Sequence, residues 1–147
     1  MKRAPYRPER PRSKQHRRSG AVLVEFALCA PLLFFFFFSA LEFARVNMIR
    51  QSIENAVYEG SRRGIVPGAT ADDCRQAAQV ILNSVSINSA EIDVNPSNIT
   101  TDTPEVTVSI AVPVNSNSWV VPFFFKDKTI SGSMTLTRER IAASSVP

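Results

Sequence analysis

The stretch RRSGAVLVEFALCAPLLFFFFFSAL, Arg17–Leu41, decides the architecture of this chain. Its last 21 residues, Ala21–Leu41, contain a single charged side chain, Glu25. An α-helix of this length rises about 31 Å, close to the roughly 30 Å hydrocarbon core of a bilayer. The polar positions that would recur on a helix packed against a soluble core are missing. The stretch therefore predicts one membrane-spanning helix.

Positive charge is concentrated ahead of this helix. Residues 1–20 hold eight of the 17 lysines and arginines and one acid, Glu9. Basic residues on the cytoplasmic flank orient a membrane helix, so Arg17 and Arg18 predict a cytoplasmic N-terminus and an extracytoplasmic C-terminal part. The leader also contains three prolines and no apolar periodicity, and we expect it to be disordered.

A cleaved secretory signal peptide is the ordinary alternative to a membrane anchor. Such a peptide has an apolar region of about 7–15 residues, followed by small residues in an A-x-A pattern. Here the apolar stretch is longer, and the sequence that follows it, Phe38–Glu42, offers no good A-x-A site. We expect the helix to remain in the mature protein.

The chain beyond the membrane segment predicts a small head of helices and strands. The first helix should continue with apolar residues at helical spacing to about Arg63, and Thr70 should cap a second helix with an apolar stripe from Cys74 to Val85. Three stretches then alternate apolar and polar residues, which predicts antiparallel strands with one wet face: residues 90–94, 105–114 and 129–138.

The predicted fold class is α+β. It has a long N-terminal transmembrane and amphipathic helix, a second short helix and a small antiparallel sheet. The predicted division is a basic leader at residues 1–20, a transmembrane helix at 21–45 and an extracytoplasmic head at 46–147. Between the last two strands, the aromatic stretch Trp119–Phe125 predicts a loop or ragged strand, and a core role is favoured over a binding role.

Residues suited to catalysis or metal binding are scarce. The sequence has no P-loop, GxGxxG, HExxH or GxSxG motif. Its one histidine, His16, lies in the leader, and its two cysteines, Cys29 and Cys74, are far apart. We therefore predict no enzyme activity, cofactor, metal or small-molecule substrate. The leader has one large aromatic residue, Tyr6, and no nucleic-acid-binding motif, so we expect no nucleic-acid partner.

Glu25 is the residue that a plain anchor does not explain. A carboxylate inside a bilayer costs a few kcal/mol, less near the ends of the helix. If the helix starts at Ala21, Glu25 lies about 6 Å inside it. Either its short side chain reaches the interface, or it has a cationic partner within the membrane.

These residues carry a resemblance to a known family. Gly20, Glu25 and Phe26 in GAVLVEF resemble the processing signature of type IV prepilins. The longer stretch from Arg17 to Gly64 is similar to the TadE-like pseudopilins of the tight-adherence (Tad) pilus. The membrane-flanking element of that family matches Glu42, Phe43 and Arg45. Beyond residue 64 the resemblance is one of pattern only, apart from the closing TLTRER.

The resemblance implies a function and partners. A prepilin peptidase would cleave between Gly20 and Ala21, and the new amino group of Ala21 would pair with Glu25 of a neighbouring helix. The chain would be a pseudopilin or minor pilin in pilus assembly and surface adhesion. It would sit in the bacterial inner membrane with other pilins and the Tad assembly platform. The alternative is a single-pass anchored binding module that is never processed.

Overall fold

The computed structural model describes residues 16–118 and 122–138. The elements in chain order are α1 (His16–Gly64), α2 (Ala71–Ser84), β1 (Glu91–Asn95), β2 (Glu105–Pro113), α3 (Val114–Asn117) and β3 (Thr129–Thr137). The predicted α+β class is confirmed. The chain divides into two compact units, Met1–Phe38 and Ser39–Pro147.

Helix α1 is 49 residues long and begins at His16. The expected start was Ala21, so residues 16–20 of the leader are helical and not disordered as predicted, whereas residues 1–15 lie outside the described residues. No proline occurs between Pro11 and Pro31, and extending an existing helix by one turn costs far less than starting a new one. The helix ends at Gly64, one residue beyond the predicted end.

The first unit exposes its apolar side chains. Large apolar residues from Val22 to Phe38 are 48–73 % exposed. Within the described residues, one helix is long and apolar enough to cross a membrane, and its most apolar 18-residue window has a mean hydropathy of 2.4. These properties make the N-terminal part of α1 a candidate membrane span by length and composition.

In the second unit, α2 begins with the predicted cap. The Thr70 hydroxyl accepts a hydrogen bond from the Asp73 backbone N–H at 3.2 Å, and the Thr70 N–H donates to the Asp73 carboxylate at 2.9 Å. This reciprocal pair satisfies two donors at the start of the helix. The hydrogen bond from the Thr70 backbone, followed by that from its hydroxyl, lowers the pKa of Asp73.

The sheet has the antiparallel order β1-β2-β3. The central strand alternates as predicted, with buried side chains at Val106, Val108, Ile110 and Val112. They form one core with Cys74, Ala78 and Leu82 of α2 and Ile49, Ile53, Ala56 and Val57 of α1. The C-terminal part of α1 is therefore a structural element of the head.

Small residues let α1, α2 and the sheet approach closely. A Cβ on Gly64 would lie 2.8 Å from Val106 Cγ1 and 2.9 Å from Cys74 Sγ, and one on Gly60 would lie 3.2 Å from the Cys74 carbonyl oxygen. Ser61, fully buried, donates from its hydroxyl to the Met134 carbonyl at 3.0 Å. The stretch between Gly60 and Gly64 thus forms a close contact of α1 with α2 and the sheet.

Candidate functional site

The residues expected to direct processing all lie on the N-terminal part of α1. Gly20, Ala21, Glu25 and Phe26 are exposed, and no atom lies within 4 Å of a Cβ built on Gly20. Among the described side chains, Glu25 forms no ion pair. The backbones of Arg17 and Arg18 belong to α1, and their side chains lie outside the described residues.

Glu42 has a different environment on the same helix. Its carboxylate accepts hydrogen bonds from three consecutive backbone N–H groups: Phe123 at 3.0 Å, Phe124 at 2.8 Å and Phe125 at 2.7 Å. A carboxylate is suited to this role because it offers two oxygens that accept and do not donate. Glu42 therefore fixes the loop Pro122–Lys128, which we call the aromatic loop.

Phe43 adds an apolar contact to the same loop. Its ring centroid lies 5.2 Å from that of Phe125 in an edge-on arrangement and 5.9 Å from that of Phe124. Aromatic pairs at these separations stabilise by about 0.5–1.5 kcal/mol beyond the burial of area. Glu42 and Phe43, adjacent in sequence, thus hold the backbone and the side chains of one loop.

Arg45 is the third residue of α1 that contacts these loops. Its guanidinium donates to the carbonyls of Asn117 at 2.8 Å, Val85 at 3.2 Å and Ser86 at 3.4 Å, and its side chain is buried. Val85 and Ser86 follow α2, and Asn117 ends α3. Arg45 therefore satisfies carbonyls at the ends of two separate helices, where no intrahelical donor is available.

Asn117 links these ends to each other. Its side-chain NH2 donates to the carbonyls of Pro113 and Ser89, and its side-chain oxygen accepts from the Asn88 N–H at 3.1 Å. Residues Val114–Asn117, between β2 and the aromatic loop, form the one-turn helix α3. The contacts of Asn117, only 4 % exposed, explain why this segment winds into a helical turn.

Glu42, Phe43 and Arg45 thus gather the aromatic loop, α3 and the end of α2 at one level of α1. We call these three residues the clamp. All of its described contacts lie within the second unit, Ser39–Pro147. Its hydrogen bonds and ring contacts hold these elements together, and in the described ranges no three His, Cys, Asp or Glu side chains are grouped to hold a metal ion.

Residues 20–62 match the family model described as TadE-like protein. This part of the chain is similar to the TadE-like family. The match confirms the resemblance predicted from the sequence, begins at Gly20 and includes the clamp. It ends two residues before the end of α1, so it contains none of α2 or the sheet. No curated protein and no solved structure matches the chain.

The TadE-like segment therefore contains two kinds of motif. Its first part carries the exposed residues Gly20, Ala21, Glu25 and Phe26, and its last part carries the clamp and one wall of the head's core. The family match indicates a protein associated with the Tad pilus.

Sequence reasoning missed the partners of the clamp. Nothing near Asn117 distinguishes it from its neighbours in NSNS, because its role depends on contacts with residues 28 and 72 positions away. The three consecutive phenylalanines of the aromatic loop were a visible signal. Their predicted core role is wrong for Phe123, which is 78 % exposed, and for Phe124, which is 45 % exposed. The other residues of that stretch, 119–121, lie outside the described residues.

Proposed function

We propose that this protein is a pseudopilin, or minor pilin, of a Tad-type pilus. It is made with a basic cytoplasmic leader at residues 1–20, a transmembrane helix at 21–45 and an extracytoplasmic head at 46–147. A prepilin peptidase removes the leader, and the mature chain joins other pilins on the Tad assembly platform. It takes part in pilus assembly and surface adhesion and has no enzyme activity of its own.

The observation that carries this proposal is the start of the TadE-like match at Gly20. The match covers the residue that the sequence marks as the last of the leader, and the next residues are exposed apolar side chains on α1. A segment of this kind can enter a membrane and still present its surface to neighbouring helices.

Gly20 suits the cleavage step for two physical reasons. It has no side chain to clash in a peptidase site that accepts only a small residue. It is also the weakest helix former after proline, so opening α1 locally around the scissile bond costs less than at other residues. Cleavage then leaves an α-amino group on Ala21, whose unperturbed pKa is near 8.

Glu25 acts after cleavage. In a bundle of these helices its carboxylate pairs with the Ala21 amine of a neighbour. In a medium of low dielectric either charge alone is costly, and the pair therefore fixes one axial stagger between helices that could otherwise slide. The carboxylate is a register and sorting device in an apolar surface.

Mass spectrometry of the N-terminus tests processing. In cells that carry the Tad machinery, the wild-type chain and the conservative variant Gly20→Ala should both begin at residue 21. The variant Gly20→Leu should stay full length in the membrane. Normal shortening of Gly20→Leu, or a full-length wild-type chain, would favour an unprocessed anchor.

Crosslinking to partner pilins tests assembly separately. Glu25→Gln should still be inserted and cleaved, but crosslinking and surface attachment should be lost. Glu54→Gln is the matched control, because Glu54 is an exposed carboxylate on the same helix whose described ion pair is with Arg50. Equal crosslinking in all three chains would remove the assembly role assigned to Glu25.

A further inference from the structure

The aromatic loop presents apolar side chains that stay exposed beside the described residues of the head. Phe123 is 78 % exposed, Phe124 is 45 % exposed and Phe43 beside them is 54 % exposed. The rings of Phe123 and Phe124 meet edge-on, with centroids 5.1 Å apart. Single exposed apolar residues are common on soluble proteins, but three adjacent aromatic rings form a patch that calls for a partner.

The position of this patch along the chain indicates which partner. Glu42, which binds the loop backbone, directly follows Leu41, the last residue of the apolar stretch. With a rise of about 1.5 Å per residue, Glu42 lies one residue beyond the apolar stretch Ala21–Leu41 and three residues, about 4.5 Å, before the end of the predicted transmembrane helix at residue 45. A loop fixed to Glu42 is therefore at the level where hydrocarbon gives way to lipid headgroups.

The backbone of the loop is prepared for such an environment. Exposed N–H groups are costly near hydrocarbon, where water is not available to accept their hydrogen bonds. The N–H groups of Phe123, Phe124 and Phe125 all donate to Glu42, so this cost is removed for the three residues that carry the rings. The loop can thus present aromatic side chains to lipid without presenting bare amides.

Two lysines flank the rings. Lys126 and Lys128 are both exposed, and Asp127 between them is engaged with Asn115, which donates to its carboxylate at 2.6 Å. Long basic side chains next to buried aromatic rings can reach the phosphates of lipid headgroups. The charge pattern therefore fits a lipid surface.

We propose that the aromatic loop is a second membrane contact, in which Phe123 and Phe124 insert into the outer interface of the bilayer while Lys126 and Lys128 bind lipid phosphates. The loop thereby fixes the head against the membrane surface. This inference rests on the membrane span in the proposed function and assigns a lipid-binding role to residues outside the TadE-like match.

Depth-dependent quenching in vesicles tests the contact. The full chain, with Cys29→Ser, is reconstituted into vesicles of phosphatidylcholine and phosphatidylglycerol, and one engineered cysteine at a time carries a fluorescent label. Cys74 is fully buried and stays unlabelled. Labels are placed by Phe123→Cys in the loop, Leu33→Cys in the span and Tyr58→Cys as the matched control. Tyr58 is an exposed aromatic residue of the head, about 24 Å further along α1 than Glu42 by helix rise.

Five results are expected. Lipids brominated near the headgroup should quench the label at 123, lipids brominated deep in the acyl chain should quench the label at 33, and neither should quench the label at 58. A second loop label, Lys126→Cys, should be quenched only by the shallow lipid. Replacing phosphatidylglycerol by phosphatidylcholine should weaken the quenching at 123, because the lysines lose their anionic partners.

The outcomes distinguish the two proposals. If the label at 33 is quenched while those at 123 and 126 behave like the one at 58, the loop does not contact lipid and only this inference fails. Shielding of the label at 123 from aqueous iodide without quenching by brominated lipid would indicate contact with protein. This result would also overturn the lipid-binding inference. An unquenched label at 33 would overturn the membrane span and both proposals together.

Discussion

Residues 20–38 and 39–64 belong to the same helix, yet their side chains meet opposite surroundings. The first part exposes almost all of its large apolar side chains, whereas the second buries Ile49, Ile53 and Val57 against α2 and the sheet. The two parts even share residue types, because each contains a glycine and a glutamate. The comparison teaches that apolar character alone does not define a role. The chain's own head covers the second part, whereas the first part is exposed and is covered by membrane and neighbouring helices only in the proposed function.

The largest contrast is expected for a deleted core side chain. Ile53→Ala should lower the free energy of unfolding of the head by about 2–5 kcal/mol, because it leaves a cavity at a position that is 1 % exposed. Leu33→Ala, at 65 % exposure, should change it by less than about 0.5 kcal/mol. Urea unfolding of the full chain in mild detergent, followed by the accessibility of the Cys74 thiol, measures both. Equal losses would mean that the two parts are not distinct.

The substitutions Gly64→Ala and Gly20→Ala should show the same contrast between the two parts of α1. Gly64→Ala places a Cβ within 3 Å of Val106 and Cys74 atoms and should destabilise the head by about 1–3 kcal/mol through overpacking. At Gly20 the space is open, and Gly20→Ala should leave the head unchanged while favouring the helix by about 0.5–1 kcal/mol. The same unfolding assay applies. A Gly64→Ala chain as stable as the wild type would show that this contact can relax.

Replacing Glu42 and replacing Glu25 should differ in their effect on the free energy of unfolding of the head, but by less than the pairs above. In Glu42→Gln one oxygen is replaced by a donor, so the three loop N–H groups lose part of their acceptor. We expect a loss of about 1–2 kcal/mol, less than a fully buried charged hydrogen bond would give because Glu42 is partly exposed. Glu25→Gln should leave the unfolding of the head unchanged. Amide hydrogen exchange at residues 123–125 offers a direct readout, and unaltered protection in Glu42→Gln would contradict the clamp.

The smallest perturbation changes no residue and compares the two cysteines. Cys29 is exposed and Cys74 is buried. Burial, and next the charge of Asp73, raises the pKa of the Cys74 thiol above its ordinary value of 9.0, so this thiol stays protonated and unreactive at neutral pH. A thiol reagent in mild detergent at pH 7–8 should label one cysteine per folded chain and two after unfolding. Because a raised pKa favours the protonated form, stability from this group is present below pH 9 and is lost as the pH rises through the folded pKa. Two labels on the folded chain would place Cys74 outside the core.

The parts of the fold that were predicted correctly are those that depend on local sequence patterns. The cap at Thr70, the alternation of β2 and the helical spacing from Ile49 to Gly60 each depend on neighbours in sequence, and the structure confirms all three. The start of α1 was placed too late because composition alone does not show how far a helix extends into its flank.

The clamp shows what local patterns cannot predict. Glu42, Phe43 and Arg45 were recognised by resemblance alone, without the loops that they hold. The partners of Glu42 lie 81–83 residues away, and backbone groups accept or donate regardless of side-chain identity. No residue type in the sequence therefore marks these pairings. The exposure of Phe123 was missed for the same reason, because an aromatic run has the same composition in a core and on a surface.

The spacing between the clamp and the buried residues Ile49 and Ile53 of α1, which we call the core stripe, restricts how the length of this chain can change. Arg45, Ile49 and Ile53 follow one another at four-residue intervals on α1, so the clamp and the core stripe keep a fixed rotational phase. A single residue inserted or deleted between Arg45 and Ile49 would rotate one against the other by about 100° and shift it by about 1.5 Å. The head could then keep either the contacts of the clamp with the loops or the packing of Ile49 and Ile53 in the core, but not both. We therefore expect this stretch to tolerate substitutions but not insertions or deletions.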